Sequence, residues 1–170
     1  MNVRFQEYFV RAVLVHKSDD QPILLSIVDC LSGIDCLQHF SDHLGKHQTE
    51  QKKIVSRFQN LAKSELQLAI PEVKWSIEYR PSRTNRDSID IFGQGREFVV
   101  AIELDKNRAD QVAKKFVSRV ALLPATTVYF VSLCYPGTER MNRSECEKYF
   151  GYCSTLALRM KNHYAGLVVE

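Results

Sequence analysis

Apolar residues recur along this chain with two different periods, and the change between them divides it. From residue 2 to residue 70 the spacing is mostly helical. Phe5, Phe9, Ala12 and Val13 predict a helix over Val3–Val15. The polar run Lys17-Ser18-Asp19-Asp20-Gln21 interrupts it. Pro22, suited to a first helical turn, then opens a second helix over Ile23–Phe40. A competing reading pairs Arg11–His16 with Ile23–Val28 as a hairpin, because both runs are rich in β-branched residues. Thr49 caps a third helix, in which Ile54, Val55, Phe58, Leu61, Ala62 and Leu66 recur at about 3.6 residues, and Pro71 stops it.

From Val73 the period becomes that of strands. Val73, Trp75, Ile77 and Tyr79 alternate with Lys74, Ser76, Glu78 and Arg80. Ser88–Gly93 and Phe98–Asp105 form a hairpin around Gly93-Gln94-Gly95-Arg96, whose glycines tolerate the turn. Asn107 caps the next helix, with Asp110 at its third position. Ala109, Val112, Ala113, Phe116, Val120 and Leu123 are its buried stripe, and Pro124 ends it. Thr126–Cys134 is continuously apolar, as a strand covered on both faces should be. Phe98–Cys134 is therefore one βαβ unit with parallel strands. Ser144-Glu145-Cys146-Glu147 reads as the capping box of a helix reaching Met160, buried through Tyr149, Phe150, Cys153, Leu156 and Met160. Leu167–Val169 is a short last strand. No repeat, low-complexity tract or linker divides the chain. The expectation is one domain over 1–170, with a mainly helical part (1–70) and an α/β core (73–170).

Composition narrows the class. A chain of 170 residues buries about 70% of its unfolded surface, and 45% hydrophobic with 25% charged residues excludes a disordered polymer. No apolar run approaches the roughly 18 residues of a membrane span. The first segment carries charges within its apolar part and lacks a small-residue cleavage site, so no signal peptide is expected. Five scattered cysteines, an odd number, fit the reduced thiols of a cytoplasmic protein better than a disulfide framework. A net charge of +3 permits a nucleic-acid partner without requiring one.

The chemistry concentrates in Asp87–Arg119. Glu103 and Asp105 share one face of their strand, roughly 7 Å apart. Asp90 interrupts the apolar run Ile89-Asp90-Ile91-Phe92 on the neighbouring strand. A carboxylate in an apolar strand needs compensation, and Mg²⁺ is a natural compensator because it takes oxygen ligands from one or two carboxylates. The bland alternative sets Asp90 on backbone amides, and Glu103 and Asp105 on a solvated face paired with Arg86 or Arg108. Between Val73 and Arg119 ten basic residues face seven acidic ones. Arg80, Arg83 and Arg86 beside the hairpin, with Arg108, Lys115 and Arg119 along the helix, make a candidate phosphate-contacting surface.

The order of helices, a three-strand meander, a helix and a strand, with Asp90 on the second meander strand and Glu103 on the third, resembles the PD-(D/E)XK (restriction-endonuclease-like) nuclease superfamily. The likeness covers residues 73–134, and 49–134 with the preceding helix. It implies a mixed central sheet flanked by helices and Mg²⁺- or Mn²⁺-dependent hydrolysis of DNA phosphodiester bonds, with Asp90 and Glu103 as metal ligands; the third carboxylate, Asp105, is a candidate either to share the metal or to act as general base. The pattern places a lysine two residues after the second acid, where this chain has Asp105. Lys106 is adjacent, though alternation turns it to the other face, and Gln111 and Lys114 on the following helix can supply the missing group. Cutting two strands favours a homodimer. The alternative is a non-catalytic relative that kept the fold as a nucleic-acid-binding or protein-interaction subunit, which Asp105 in the lysine position favours.

Two further groupings have simpler explanations. Cys36, His39, His43 and His47 would share one side of a helix only if it continued through Gly45, so a histidine-rich surface is preferred over zinc. Cys134, Cys146 and Cys153 lack CxxC spacing and read as core thiols.

Overall fold

The computed structural model describes residues 10–40, 45–106, 108–135 and 141–170. In chain order the elements are β1 (Ala12–Lys17), α1 (Pro22–Ser32), α2 (Leu37–Phe40), α3 (Gln48–Ala69), β2 (Lys74–Tyr79), β3 (Ile89–Gln94), β4 (Phe98–Asp105), α4 (Asp110–Leu122), β5 (Thr127–Cys134), α5 (Arg143–Arg159) and β6 (His163–Val169). They form an α/β fold around one open, mixed, six-stranded sheet in the order β1-β6-β5-β4-β3-β2. Strands β2, β3 and β4 make an antiparallel meander. Strands β4, β5 and β6 run parallel, and β1 returns antiparallel along β6.

Each face of the sheet has its own core. Val100, Ile102, Leu104, Val131 and Leu167 pack with Leu24, Ile27, Phe58 and Leu66 of α1 and α3. Val99, Ala101, Phe130, Tyr164 and Val168 pack with Val112, Phe116, Phe150 and Cys153 of α4 and α5. Strands β4 and β5 are thus covered on both sides, which is why they read as unbroken apolar runs. Both termini of α4 agree with the sequence to within a few residues, and β4-α4-β5 is the expected parallel unit. Asn107, the expected cap of that helix, lies outside the described residues.

Elsewhere the structure corrects the pattern. Ala12–Lys17 is a strand, not the end of a helix, and its partner is β6 rather than Ile23–Val28; residues 3–9 lie outside the description. The expected helix Ile23–Phe40 breaks at Gly33, whose N–H bonds back to the Asp29 and Cys30 carbonyls and ends α1. His47 rather than Thr49 precedes the first turn of α3. Asn142 caps α5 by accepting from the Glu145 N–H, so Ser144 lies inside the first turn. Leu156 and Met160 are exposed; Cys146 and Ala157 join Phe150 and Cys153 on the buried side. The last strand is longer than the three residues expected.

Candidate active site

The β3–β4 register ends at Ile91–Ile102, whereas β4 runs on beside β5 to Asp105–Cys134. The two strands of the hairpin therefore part, and side chains take over the backbone groups at the opening. Asp90 Oδ2 accepts from the Leu104 N–H at 2.7 Å, and Lys115 Nζ donates to the Leu104 carbonyl at 2.9 Å. Lys115 then gathers three acids. Its ammonium lies 3.0 Å from Asp105 Oδ1, 3.3 Å from Glu103 Oε2 and 3.8 Å from Asp90 Oδ2. One turn further along α4, on the same side of the helix, Arg119 Nε donates to Glu103 Oε1 at 2.8 Å, and its Nη1 lies 3.4 Å from Asp87 Oδ1.

Two of the carboxylates are shut away from water. Glu103 is 1% exposed and Asp105 2%. Burial, and then the Asp90 carboxylate beside it, push Glu103 up to about 9 against the pull of Lys115 and Arg119. Burial also raises Asp105, with Lys115 opposing. For Lys115 burial works against its charge, but the carboxylates of Asp105, Glu103 and Asp90 prevail and hold it above the ordinary lysine range. Counting Asp87 beside Arg119, four carboxylates share two cations, so the cluster is short of positive charge. Glu103 Oε2 and Asp105 Oδ2 are buried and make no hydrogen bond among the described residues.

A second layer comes from α3 and β2. Gln59, buried on α3, donates from Nε2 to Glu78 Oε1 at 2.7 Å and to Asp90 Oδ1 at 3.3 Å. Ser88 Oγ donates to Glu78 Oε2 at 2.9 Å. Glu78 has φ 49°, and the β2–β3 register passes from Ile77–Ile91 to Tyr79–Ile89 without a Glu78–Asp90 pair. A left-handed residue with a side chain costs about 1–2 kcal/mol. Here it turns the carboxylate toward Gln59 and so fixes one oxygen of Asp90.

The three expected acids thus converge, and both cations that hold them come from residues expected on a nucleic-acid surface, Lys115 and Arg119. Lys114 is exposed and does not reach the carboxylates. Lys106 does turn to the other face, toward α3, where its Nζ donates to Gln51 Oε1 at 2.8 Å. Burial and then the Lys115 and Lys52 charges lower its pKa. Lys106 and Gln111 line a recess of about 520 Å³ that opens beside Asp105. Arg80, Arg83 and Arg86 are exposed in the β2–β3 connection. Arg108 is bound to Asp110 through two hydrogen bonds of 3.0 and 2.7 Å, not to Glu103 or Asp105. Gln59 and Glu78 were not singled out by the sequence. A glutamine next to Phe58 on the inner side of α3 was the available signal for the first; nothing in the alternation of β2 marks the second.

Among the described residues, Cys36, His39 and His47 belong to no group that could hold a metal ion. Cys36 is buried, His39 packs edge-on against Phe58 at 5.5 Å, and α1 and α2 are separate helices. His43 lies outside the described residues. Cys134, Cys146 and Cys153 are buried free thiols. Among the described residues no helix is long and apolar enough to cross a membrane, and no three histidine, cysteine or acidic side chains are disposed to hold one metal ion. Comparison with family models, with curated proteins and with solved structures found no match for this chain.

Proposed function

We propose that this protein is a metal-dependent nuclease that hydrolyses DNA phosphodiester bonds at the parted end of β3 and β4. The observation that carries the reading is the convergence of Asp90, Glu103 and Asp105 on one ammonium group at 3.0 to 3.8 Å. The order α3-β2-β3-β4-α4-β5, a meander followed by a parallel strand, supports the resemblance to the PD-(D/E)XK superfamily. In this reading Lys115 takes the part of the lysine that Asp105 displaces, from the helix instead of the strand.

The donor set suits a hard divalent cation. Mg²⁺ needs only one or two carboxylates and keeps several waters, so Asp90 and Glu103 suffice without a third protein ligand. The missing positive charge and the buried Asp105 Oδ2, which accepts no hydrogen bond, also suit it. Mg²⁺ or Mn²⁺ held there would supply Lewis acidity and a lowered pKa for water at the scissile phosphate. The chain's own groups do the rest. Asp105 Oδ2, buried and without a hydrogen-bond donor, takes a proton from the attacking water. Lys115 and Arg119 face the charge that develops on the phosphate oxygens. The water oxygen bonds to phosphorus, the phosphorus–oxygen bond to the leaving strand breaks, and solvent protonates the leaving oxygen.

Cleavage of labelled linear, supercoiled and branched DNA with Mg²⁺ or Mn²⁺, against EDTA, tests the reading. Glu103→Gln is expected to lose more than the roughly 10–100-fold that outer-shell changes cost a metal site, with the variant still folded. One observation favours a second reading. Lys115 and Arg119 already neutralise most of the acidic charge, as a closed internal ion-pair network would in a non-catalytic binding subunit. That reading expects no cleavage of any substrate, and DNA or protein binding unchanged by EDTA and by Glu103→Gln.

A further inference from the structure

Of the three clustered carboxylates Asp105 lines the recess between α3 and α4, and the recess has its own chemistry. Asp105 and Lys115 line it, next to the cluster, together with the Glu78 carboxylate. Lys52 from α3 and Lys106 from the end of β4 add two more ammonium groups to its lining. No carboxylate among the described residues pairs with either lysine; the Lys106 ammonium rests on the neutral amide of Gln51 at 2.8 Å. Its apolar lining comes from Val55, Leu104 and Tyr135, of which Val55 is the more open and the Tyr135 ring is stacked on Phe40 at 4.5 Å. A phosphate-sized anion satisfies two ammonium groups that lack an acid, and a base ring packs on the exposed part of the apolar lining beside them.

Volume decides what enters. About 520 Å³ lies within the roughly 300–1,000 Å³ of sites that take a single small molecule. One nucleotide fits this volume. From this juxtaposition, and resting on the nuclease reading above, we infer that the recess takes one unpaired nucleotide, its phosphate on Lys52 and Lys106 and its base on the apolar lining beside them. The substrate class is then single-stranded DNA, including frayed or overhanging ends, and not the interior of a duplex. The exposed Arg80, Arg83 and Arg86 would track the strand outside the recess.

The test is fluorescence anisotropy in EDTA, where no cleavage can occur, with labelled oligothymidylate and a duplex of equal length. Two variants leave the carboxylates untouched. Lys106→Ala removes a phosphate partner. Ser56→Trp, at an exposed position of α3 on the rim, fills the recess. The single strand is expected to bind at least tenfold more tightly than the duplex. Lys106→Ala should weaken it roughly tenfold, as loss of a charged hydrogen bond does, and lower the salt slope by about 0.7. Ser56→Trp should abolish the preference. Equal binding of both DNAs, or a single-strand preference indifferent to both variants, would overturn the inference even if metal-dependent cleavage is found. Conversely, a Lys106-dependent single-strand preference without cleavage under any metal sustains the recess and removes the nuclease reading.

Discussion

Lys115 and Glu103 set the behaviour of the site at the scale of single residues. An ammonium 3.0 to 3.8 Å from three carboxylates is a fixed counter-ion, yet one cation and a guanidinium do not neutralise three acids, two of them buried. Glu103 answers by holding its proton up to about 9, where the free side chain loses it near 4.5. Between those values the native state binds a proton that the unfolded chain has released. Stability of the metal-free protein therefore falls as pH rises through that window, and Asp105, raised for the same first reason, adds to the fall. Glu103→Gln keeps the carbonyl that accepts from Arg119 and removes the titration. It is expected to be more stable than the parent at the alkaline end of the window and nearly equal at the acid end. Urea midpoints in EDTA across that range check this; a parallel pair of profiles would contradict it.

At the scale of elements, a close approach that only glycine permits lies near the site. Gly166 on β6 faces Ser132 of β5, itself opposite Glu103 of β4. A Cβ there would come within 2.3 Å of the Phe150 ring. Gly166→Ala should cost about 1–3 kcal/mol by overpacking, and adding Phe150→Leu should recover part of it in a double-mutant cycle followed by thermal unfolding. Elements with a clean period were legible in the sequence: α3 through Ile54, Phe58, Ala62 and Leu66, the β3–β4 hairpin, and the β4-α4-β5 unit. So were the three acids, because charges in apolar strands stand out. What was not legible depends on tertiary contacts. Ala12–Lys17 carries both a helical and an extended pattern, and only pairing with β6 decides between them. Lys114 and Lys115 are equally basic neighbours, and the rotation of α4 on the sheet picks the second. Glu78 entered the site through a backbone twist that its side-chain alternation does not encode.

For the whole molecule, any ligand that binds only the folded state adds RT ln(1 + [L]/Kd) to its stability, about 2.7 kcal/mol at a hundredfold excess over Kd. If Asp90 and Glu103 hold a divalent cation, Mn²⁺ or Mg²⁺ must raise the melting temperature. The rise should be larger at the alkaline end, where the ion no longer competes with the Glu103 proton, and absent in Glu103→Gln. Calorimetry with and without EDTA reads this without any nucleic acid; no shift for either ion would remove the cofactor from the proposal. The same sheet has a temporal consequence. Strands β2, β3 and β4 join neighbours in sequence and can form as soon as they are made, whereas β1 pairs with β6, and Ser18 meets Tyr164 across 146 positions. At roughly 5–20 residues per second of synthesis, β1 waits on the order of 7–30 s for its partner. Through that interval the apolar side of α1, with Leu24, Ile27 and Leu31, lacks the β6 part of its cover. The nascent chain therefore has its most vulnerable period at the edge of the sheet farthest from β2, well away from the acids, and completes that edge only when its last strand emerges.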